Sequence, residues 1–266
     1  MIWIMKERKQ KTMSNANNYT ISESYVLPSQ GKIYDTPIDP HVTLRSMTTM
    51  EEMKRLAQTD TPYKVMSDLI EACLTTPLGM HVYDLCVGDY QFLLHKLRVV
   101  TYGPDYKMVI SCPNCGESTL VNINLDELTV LEYNEEEFNK LKKVKLPQTG
   151  KEIELRIQTP RILDQNEARV KEIKRKSPEL SYDPGLMVTL ESLIYRVDGE
   201  IPNAAALETF VRKLPMRDAN VLLQTARRLN GKVGLDTSVV AKCGSCGYNV
   251  VTTFRFTSEF FGPSID

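Results

Sequence analysis

Cys112-Pro-Asn-Cys115-Gly116 and Cys243-Gly-Ser-Cys246-Gly247 repeat one short pattern, and together they hold four of the six cysteines in this 266-residue chain. Four thiolates converging on one tetrahedral ion, with metal–sulfur bonds of about 2.3 Å, are the expected geometry of structural zinc. Joined in that way, two distant points of the chain meet, and everything from Glu117 to Lys242 becomes an insertion between two halves of a small ribbon. A closed set of four sulfurs leaves no open coordination position, so the ion would hold structure rather than catalyse. The glycine after each second cysteine suits a tight turn that aims backbone amides at the sulfurs. Such sites can add about 10–16 kcal/mol of apparent binding energy to folding. Two unconnected thiol pairs, or iron in the same sulfur cage, are the competing assignments.

Composition excludes several classes. Hydrophobic residues make up 42% and charged residues 25% of the chain, an ordinary globular mixture with ample material for a core. A net charge of -1 provides no basic field for broad nucleic-acid binding. The run Met1-Ile-Trp-Ile-Met5 leads into Lys6, Arg8 and Lys9; it is too short for a signal-peptide core or a membrane span. A cytoplasmic site of synthesis follows as the expectation, and in a reducing compartment paired Cys-x-x-Cys motifs are metal ligands more often than disulfides. Cys73 and Cys86 are expected as small buried hydrophobes.

Along the chain, residues 1–40 show no sustained period and carry Pro28, Pro37 and Pro40; they are expected as an extended arm that orders only by lying on something else, either its own body or a partner. Residues 41–104 are expected as a helical block. Thr48 with Glu51, or Thr49 with Glu52, forms a capping box ahead of Met50, Met53 and Leu56. Pro62 opens a second helix bearing Met66, Leu69, Ile70, Cys73 and Leu74 on one face. A third follows Gly88-Asp89 and closes at Gly103-Pro104. Residues 105–126 and 236–262 alternate in the strand manner around the two Cys pairs and are expected as the ribbon halves, each pair at the tip of a β-hairpin. Residues 127–235 are expected as an inserted subdomain. It would comprise a hairpin around Pro147–Lys151, a charged helix from Thr159-Pro160 to about Lys176, and helices near 185–197, 204–213 and 216–229.

The chemistry the residues support is limited. His41, His81 and His95 are the only histidines, and His95, within an apolar helical face, is expected as a satisfied packing residue. No phosphate loop, dinucleotide fingerprint or nucleophile elbow is present in the sequence, so no catalytic or cofactor-binding residues are assigned and the chain is expected not to be an enzyme. The residues near the Cys pairs (Lys107, Glu117, Lys242, Arg255) are sparse and mixed. Arg161, Arg169, Lys171, Lys174, Arg175 and Lys176 alternate with Asp164, Glu167 and Glu172, which marks a solvated helix face. Phe254, Phe256, Phe260 and Phe261 read first as packing onto the core and second as a partner-docking anchor.

An ordered set of segments then carries a resemblance: Leu27-Pro-Ser-Gln-Gly-Lys-Ile-Tyr34, Val42 to Glu52, Asp84-Leu-Cys-Val-Gly-Asp89 with Phe92-Leu-Leu94, Val100-Thr-Tyr-Gly103, the two Cys knuckles, and Phe260-Phe261-Gly-Pro263. Over about residues 25–263 this order resembles the baseplate hub and hub-assembly proteins of T-even-like, contractile-tailed bacteriophages. The resemblance implies a non-enzymatic role as a structural component or assembly factor of the tail baseplate hub. Its implied partners are other baseplate and tail hub proteins, with no small-molecule substrate and no membrane. Its implied location is the host cytoplasm during assembly, with the virion tail as a second location. It does not separate virion subunit from assembly chaperone. A zinc-ribbon nucleic-acid-binding or transcription-associated factor is the alternative, and a thiol redox enzyme, predicting a reactive Cys112 or Cys243, is a third class.

The expected fold is therefore α+β: a helical block plus a split four-cysteine zinc ribbon of two β-hairpin knuckles, with an inserted β-hairpin and helices. Its expected metal ligands to one structural zinc ion are Cys112, Cys115, Cys243 and Cys246.

Overall fold

The computed structural model describes residues 20–253 and 258–261. Strands β1 (Ser22–Val26) and β2 (His41–Arg45) pair antiparallel, Ser22 opposite Arg45 and Val26 opposite His41. Helices α1 (Thr49–Arg55), α2 (Pro62–Cys73) and α3 (Val87–Tyr102) follow. Hairpin β3 (Asp105–Ser111)–β4 (Ser118–Asn124) leads to β5 (Val130–Leu131). Next come α4 (Glu135–Lys142), β6 (Lys143–Lys145), β7 (Glu152–Leu155), α5 (Pro160–Lys176), α6 (Gly185–Leu193), β8 (Ile194–Val197), α7 (Ala204–Arg212) and α8 (Met216–Asn230). Strand β9 (Gly234–Leu235) returns to pair with β5, and hairpin β10 (Ser238–Lys242)–β11 (Asn249–Thr253) completes the α+β fold.

Three apolar clusters hold it together. One gathers Leu27, Leu44, Ile70, Leu93, Leu97, Leu125, Phe260 and Phe261 around α3. The second lies mainly within the segment between β5 and β9, with Phe138, Ile153, Leu155, Leu193, Leu222 and Leu229, and takes in Cys86 from the start of α3. The third is small, Ile110, Cys112, Cys243 and Val250, between the two Cys-bearing hairpins. Helix α3 is buried nearly all round, as expected of a helix at the centre of its layer. Fully buried Arg98, near its end, donates to the carbonyls of Gly103, Asp105 and Phe260, so α3, β3 and the turn at Ser258–Phe261 share one guanidinium.

Local signals account for most boundaries. The Thr48 amide donates to Glu51 Oε2 at 2.8 Å, the reciprocal half of a capping box, at the start of α1. Thr159 Oγ1 accepts from the Ile162 amide ahead of Pro160, and Asn203 Oδ1 accepts from the Ala206 amide at α7. In α2 the Thr61 side chain makes no cap bond. Asp164, from α5, accepts the Lys64 amide at 2.8 Å and the Tyr63 amide at 3.4 Å and serves as the cap in its place.

Four readings are settled or changed by the structure. The stretch expected as an arm lies on its own body from Ser22 onward. It forms β1, and the Ser29 amide then donates to Asp89 Oδ1 at 2.9 Å while the Tyr34 hydroxyl donates to Asp89 Oδ2 at 2.6 Å. Burial pushes the Asp89 carboxyl above its usual range, although these donors pull it back. Second, the block expected as helical opens with a strand, β2, because β1 supplies it a partner. Third, the helix expected over 185–197 stops at Leu193, and Ile194–Val197 joins β7 as the third strand of the β6–β7–β8 sheet. Ile194-Tyr-Arg-Val197 continues the apolar helical pattern yet carries β-branched and aromatic side chains that suit a strand, and the open edge of β7 decides it. Fourth, Met50, Met53 and Leu56, whose facing the sequence left open, face solvent.

Candidate metal centre

The two Cys pairs sit in the turns of hairpins β3–β4 and β10–β11, and the two turns are built alike. The Cys112 amide donates to the Glu117 carbonyl and the Gly116 amide to the Cys112 carbonyl, each at 2.9 Å; the Cys243–Tyr248 and Gly247–Cys243 bonds repeat this at the same lengths. Gly116 and Gly247 take φ of 78° and 70°, a left-handed conformation that glycine adopts without a Cβ clash.

These turns bring together all four cysteines that the sequence nominated. Their sulfurs lie within 4.8 Å of one another. Cys112 Sγ stands 3.6 Å from Cys246 Sγ and Cys115 Sγ 3.7 Å from Cys243 Sγ. A tetrahedron with metal–sulfur bonds of about 2.3 Å has edges of about 3.8 Å, so the sulfur cage has the size of a four-coordinate metal site. Cys112 and Cys243 are buried and Cys115 and Cys246 exposed, which places the cage at the outer end of the paired hairpins. The donors are all sulfur, a set that suits soft or borderline ions and leaves no open position for a substrate.

The surroundings favour thiolates at Cys243 and Cys246, whereas at Cys115 the Glu117 amide pulls down but the neighbouring cysteine side chains push the thiol up to about 12. Backbone amides of Cys246 and Ser245 and the Thr119 hydroxyl hold the Cys243 thiol down to about 6, and the Asn114 amide group, 3.6 Å from Cys246 Sγ, lowers that thiol too. Thr119 lies 3.7 Å from Cys243 Sγ and accepts from the Gly244 amide at 3.3 Å. Thr119 and Asn114 thus reach across from the first hairpin to the cysteines of the second, the kind of outer contact that orients metal ligands. Nothing in the spacing of the sequence marked them, because neither repeats in the second knuckle.

The remaining candidates separate. His41 opens β2 and His81 precedes a short turn at Val82–Asp84. Asp68, Glu71 and His81 also lie within 4.8 Å of one another, but His81 Nδ1 is engaged by Glu71 at 2.6 Å and Asp68 by Lys64 at 2.5 Å. His95 is fully buried and its ring lies 6.5 Å from that of Phe260. Its packing role is as expected, yet neither ring nitrogen has a hydrogen-bond partner among the described residues. Phe260 and Phe261 are core residues, which removes the docking alternative for them; Phe254 and Phe256 lie outside the described residues. On α5, Arg161 pairs with Asp84, Lys171 with Asp60, Lys174 with Asp183 and Lys176 with Glu172. Cys73 and Cys86 are buried as expected, and among the described residues no helix is long and apolar enough to cross a membrane.

Compared with known proteins, residues 18–262 match the family described as T4 bacteriophage base plate protein. No curated protein and no solved structure matches the chain.

Proposed function

The chain belongs to the T4 bacteriophage base plate protein family, and on that premise we propose that it is a non-enzymatic structural component or assembly factor of the baseplate hub. It acts by contacts with other tail and baseplate proteins, in the host cell during assembly and in the tail of the virion. The observation that carries this is the extent of the family match, residues 18–262, which takes in all three apolar clusters and both Cys hairpins rather than one module.

Cys112, Cys115, Cys243 and Cys246 would hold one zinc ion, and the paired hairpins would then be the two halves of a zinc ribbon. The all-sulfur donor set and the 3.6 and 3.7 Å sulfur separations support this. Bound there, zinc would supply a clasp: it would fix the exit of β3 and the return into β11, so that the inserted segment stays folded against the α3 layer. The nucleic-acid alternative draws little support, since the basic residues of α5 named above are spent on acidic neighbours.

The direct test is genetic and biochemical. Infection with a phage carrying a nonsense codon in this reading frame should yield no complete baseplates, and restoring the protein in trans should restore them. Normal tails without the protein would refute the reading. Detection in purified finished particles would make it a structural component; presence only in assembly intermediates would make it a factor.

A further inference from the structure

Helix α1 is turned inside out. Three of its four charged residues, Glu51, Glu52 and Arg55, turn toward the body, while Lys54 is exposed: Glu51 is 8% exposed and accepts from both terminal nitrogens of Arg45, at 2.9 and 2.5 Å. Arg55 holds Glu52 at 2.8 and 2.6 Å and lies 5.5 Å over the Phe261 ring. Its apolar residues, recurring every third position, face outward: Met50, Met53 and Leu56 are 62%, 60% and 66% exposed. An amphipathic helix normally turns its apolar stripe to the core because burying each large apolar side chain is favourable. Here ion pairs fix the opposite orientation and leave the stripe without cover among the described residues.

The size of the stripe limits what can cover it. Seven residues at about 1.5 Å each make a rod about 10 Å long and about as wide. The footprint is on the order of a hundred Å², far below the roughly 800 Å² per partner of a stable interface between separate proteins. So small a contact persists only when its occupant is tethered close by, where the effective concentration reaches the millimolar range.

This chain carries such a tether. The Ile21 amide donates to Ser46 Oγ at 3.1 Å and the Ser46 amide to the Ile21 carbonyl at 2.7 Å, so the described chain begins beside the residue that leads into α1. The preceding residues contain one apolar run, Met1-Ile-Trp-Ile-Met5, separated from Ile21 by 15 residues. At about 3.3 Å per residue those span up to about 50 Å, and five extended residues cover about 16 Å, enough to lie along a two-turn helix. We propose that Met1–Met5 docks on the Met50–Met53–Leu56 stripe of the same chain.

Trp3 is the chain's single tryptophan, so its fluorescence reports the contact directly. The experiment uses the full chain with nothing fused before Met1, in the wild type and in a Met50→Lys/Met53→Lys variant, with near-ultraviolet circular dichroism as the check of folding. The expected result is a native emission blue-shifted from that of the urea-unfolded chain, with the shift lost in the variant. If the double variant fails to fold, Met53→Ser is read in the same way. Solvent-like emission in the native wild type would overturn the proposal, as would a blue shift that survives the substitutions. A shift that vanishes on dilution would overturn it too, by making a second copy the occupant.

Discussion

Gly88, in the first turn of α3, and Gly234, in β9, pass each other backbone to backbone. A Cβ on Gly88 would stand 2.1 Å from the Val233 carbonyl oxygen, and one on Gly234, whose φ is +126°, would stand 2.9 Å from the Gly88 Cα. This contact seats the returning end of the inserted segment on the central helix, beside the β5–β9 pair.

Gly88→Ala is therefore expected to destabilise, although alanine at an ordinary helical position gains up to about 1 kcal/mol over glycine. Overpacking against a backbone carbonyl that cannot swing away should cost about 1–3 kcal/mol net. Urea unfolding measures it, and a neutral or stabilised variant would show that the crossing is loose.

Removal of the metal is expected to unfasten the paired hairpins, because the buried core between them is small, Ile110 and Val250 with two of the cysteines, edged by Met108, Val121 and Ala241. Elemental analysis of the purified protein should find one zinc per chain, lost on denaturation in chelator, and Cys115→Ser should lower both zinc content and melting temperature. A metal-free native protein, or a Cys115→Ser variant of unchanged stability, would dispose of the clasp. Rapid alkylation of Cys243 in the native protein would point to a redox thiol.

Stability is expected to fall with acid through His95. Burial, with the neighbouring Lys96 charge, depresses its pKa from 6.5 to about 4. Between those values the unfolded chain binds a proton that the native protein does not, so stability is highest above pH 6.5 and declines as pH falls toward 4. The decline attributable to this group is about 3 kcal/mol. The His95→Leu variant lacks it, so the difference between wild type and variant, measured from pH 4 to 7, isolates the histidine. Two parallel pH profiles would contradict the assignment. At neutral pH the variant should be no less stable than the wild type, since it removes buried ring nitrogens whose one polar neighbour, the Leu125 backbone, makes no well-formed hydrogen bond with them.

Asp164→Ala is expected to cost about 2–3 kcal/mol, more than most exposed caps. It strips the Lys64 amide and the Tyr83 hydroxyl of an acceptor, each at 2.8 Å, and detaches α5 from the start of α2. Asp164→Asn should recover part of the loss. Thermal unfolding of the pair decides, and equal stability of Ala and wild type would mean that α2 caps itself.

Much of the local structure was legible in the sequence. Pro62 and Thr159-Pro160 place helix starts that the structure reproduces, since a cap or an N-terminal proline acts within a few residues of itself. The hairpins around the Cys pairs followed from alternation and turn glycines in the same way. The short β1 was not legible: Ser22–Val26 has little apolar alternation of its own and is a strand because His41–Arg45 lies beside it. Ile194–Val197 was misread for the complementary reason, an apolar run whose state depends on whether a strand edge waits for it.

By itself, then, the sequence determined that four cysteines could form one sulfur cage, and where most helices begin, because those features depend on spacing and on contacts within a turn. Tertiary structure alone decided which way α1 faces. Its three-residue apolar period fits an inward or an outward stripe equally well, and Arg45 and Phe261, from outside the helix, help to hold Glu51 and Arg55 against the body and leave Met50, Met53 and Leu56 uncovered by the described residues. It likewise decided that Gly88 must be glycine, since the carbonyl that forbids a side chain there arrives from Val233, on the far side of the inserted segment.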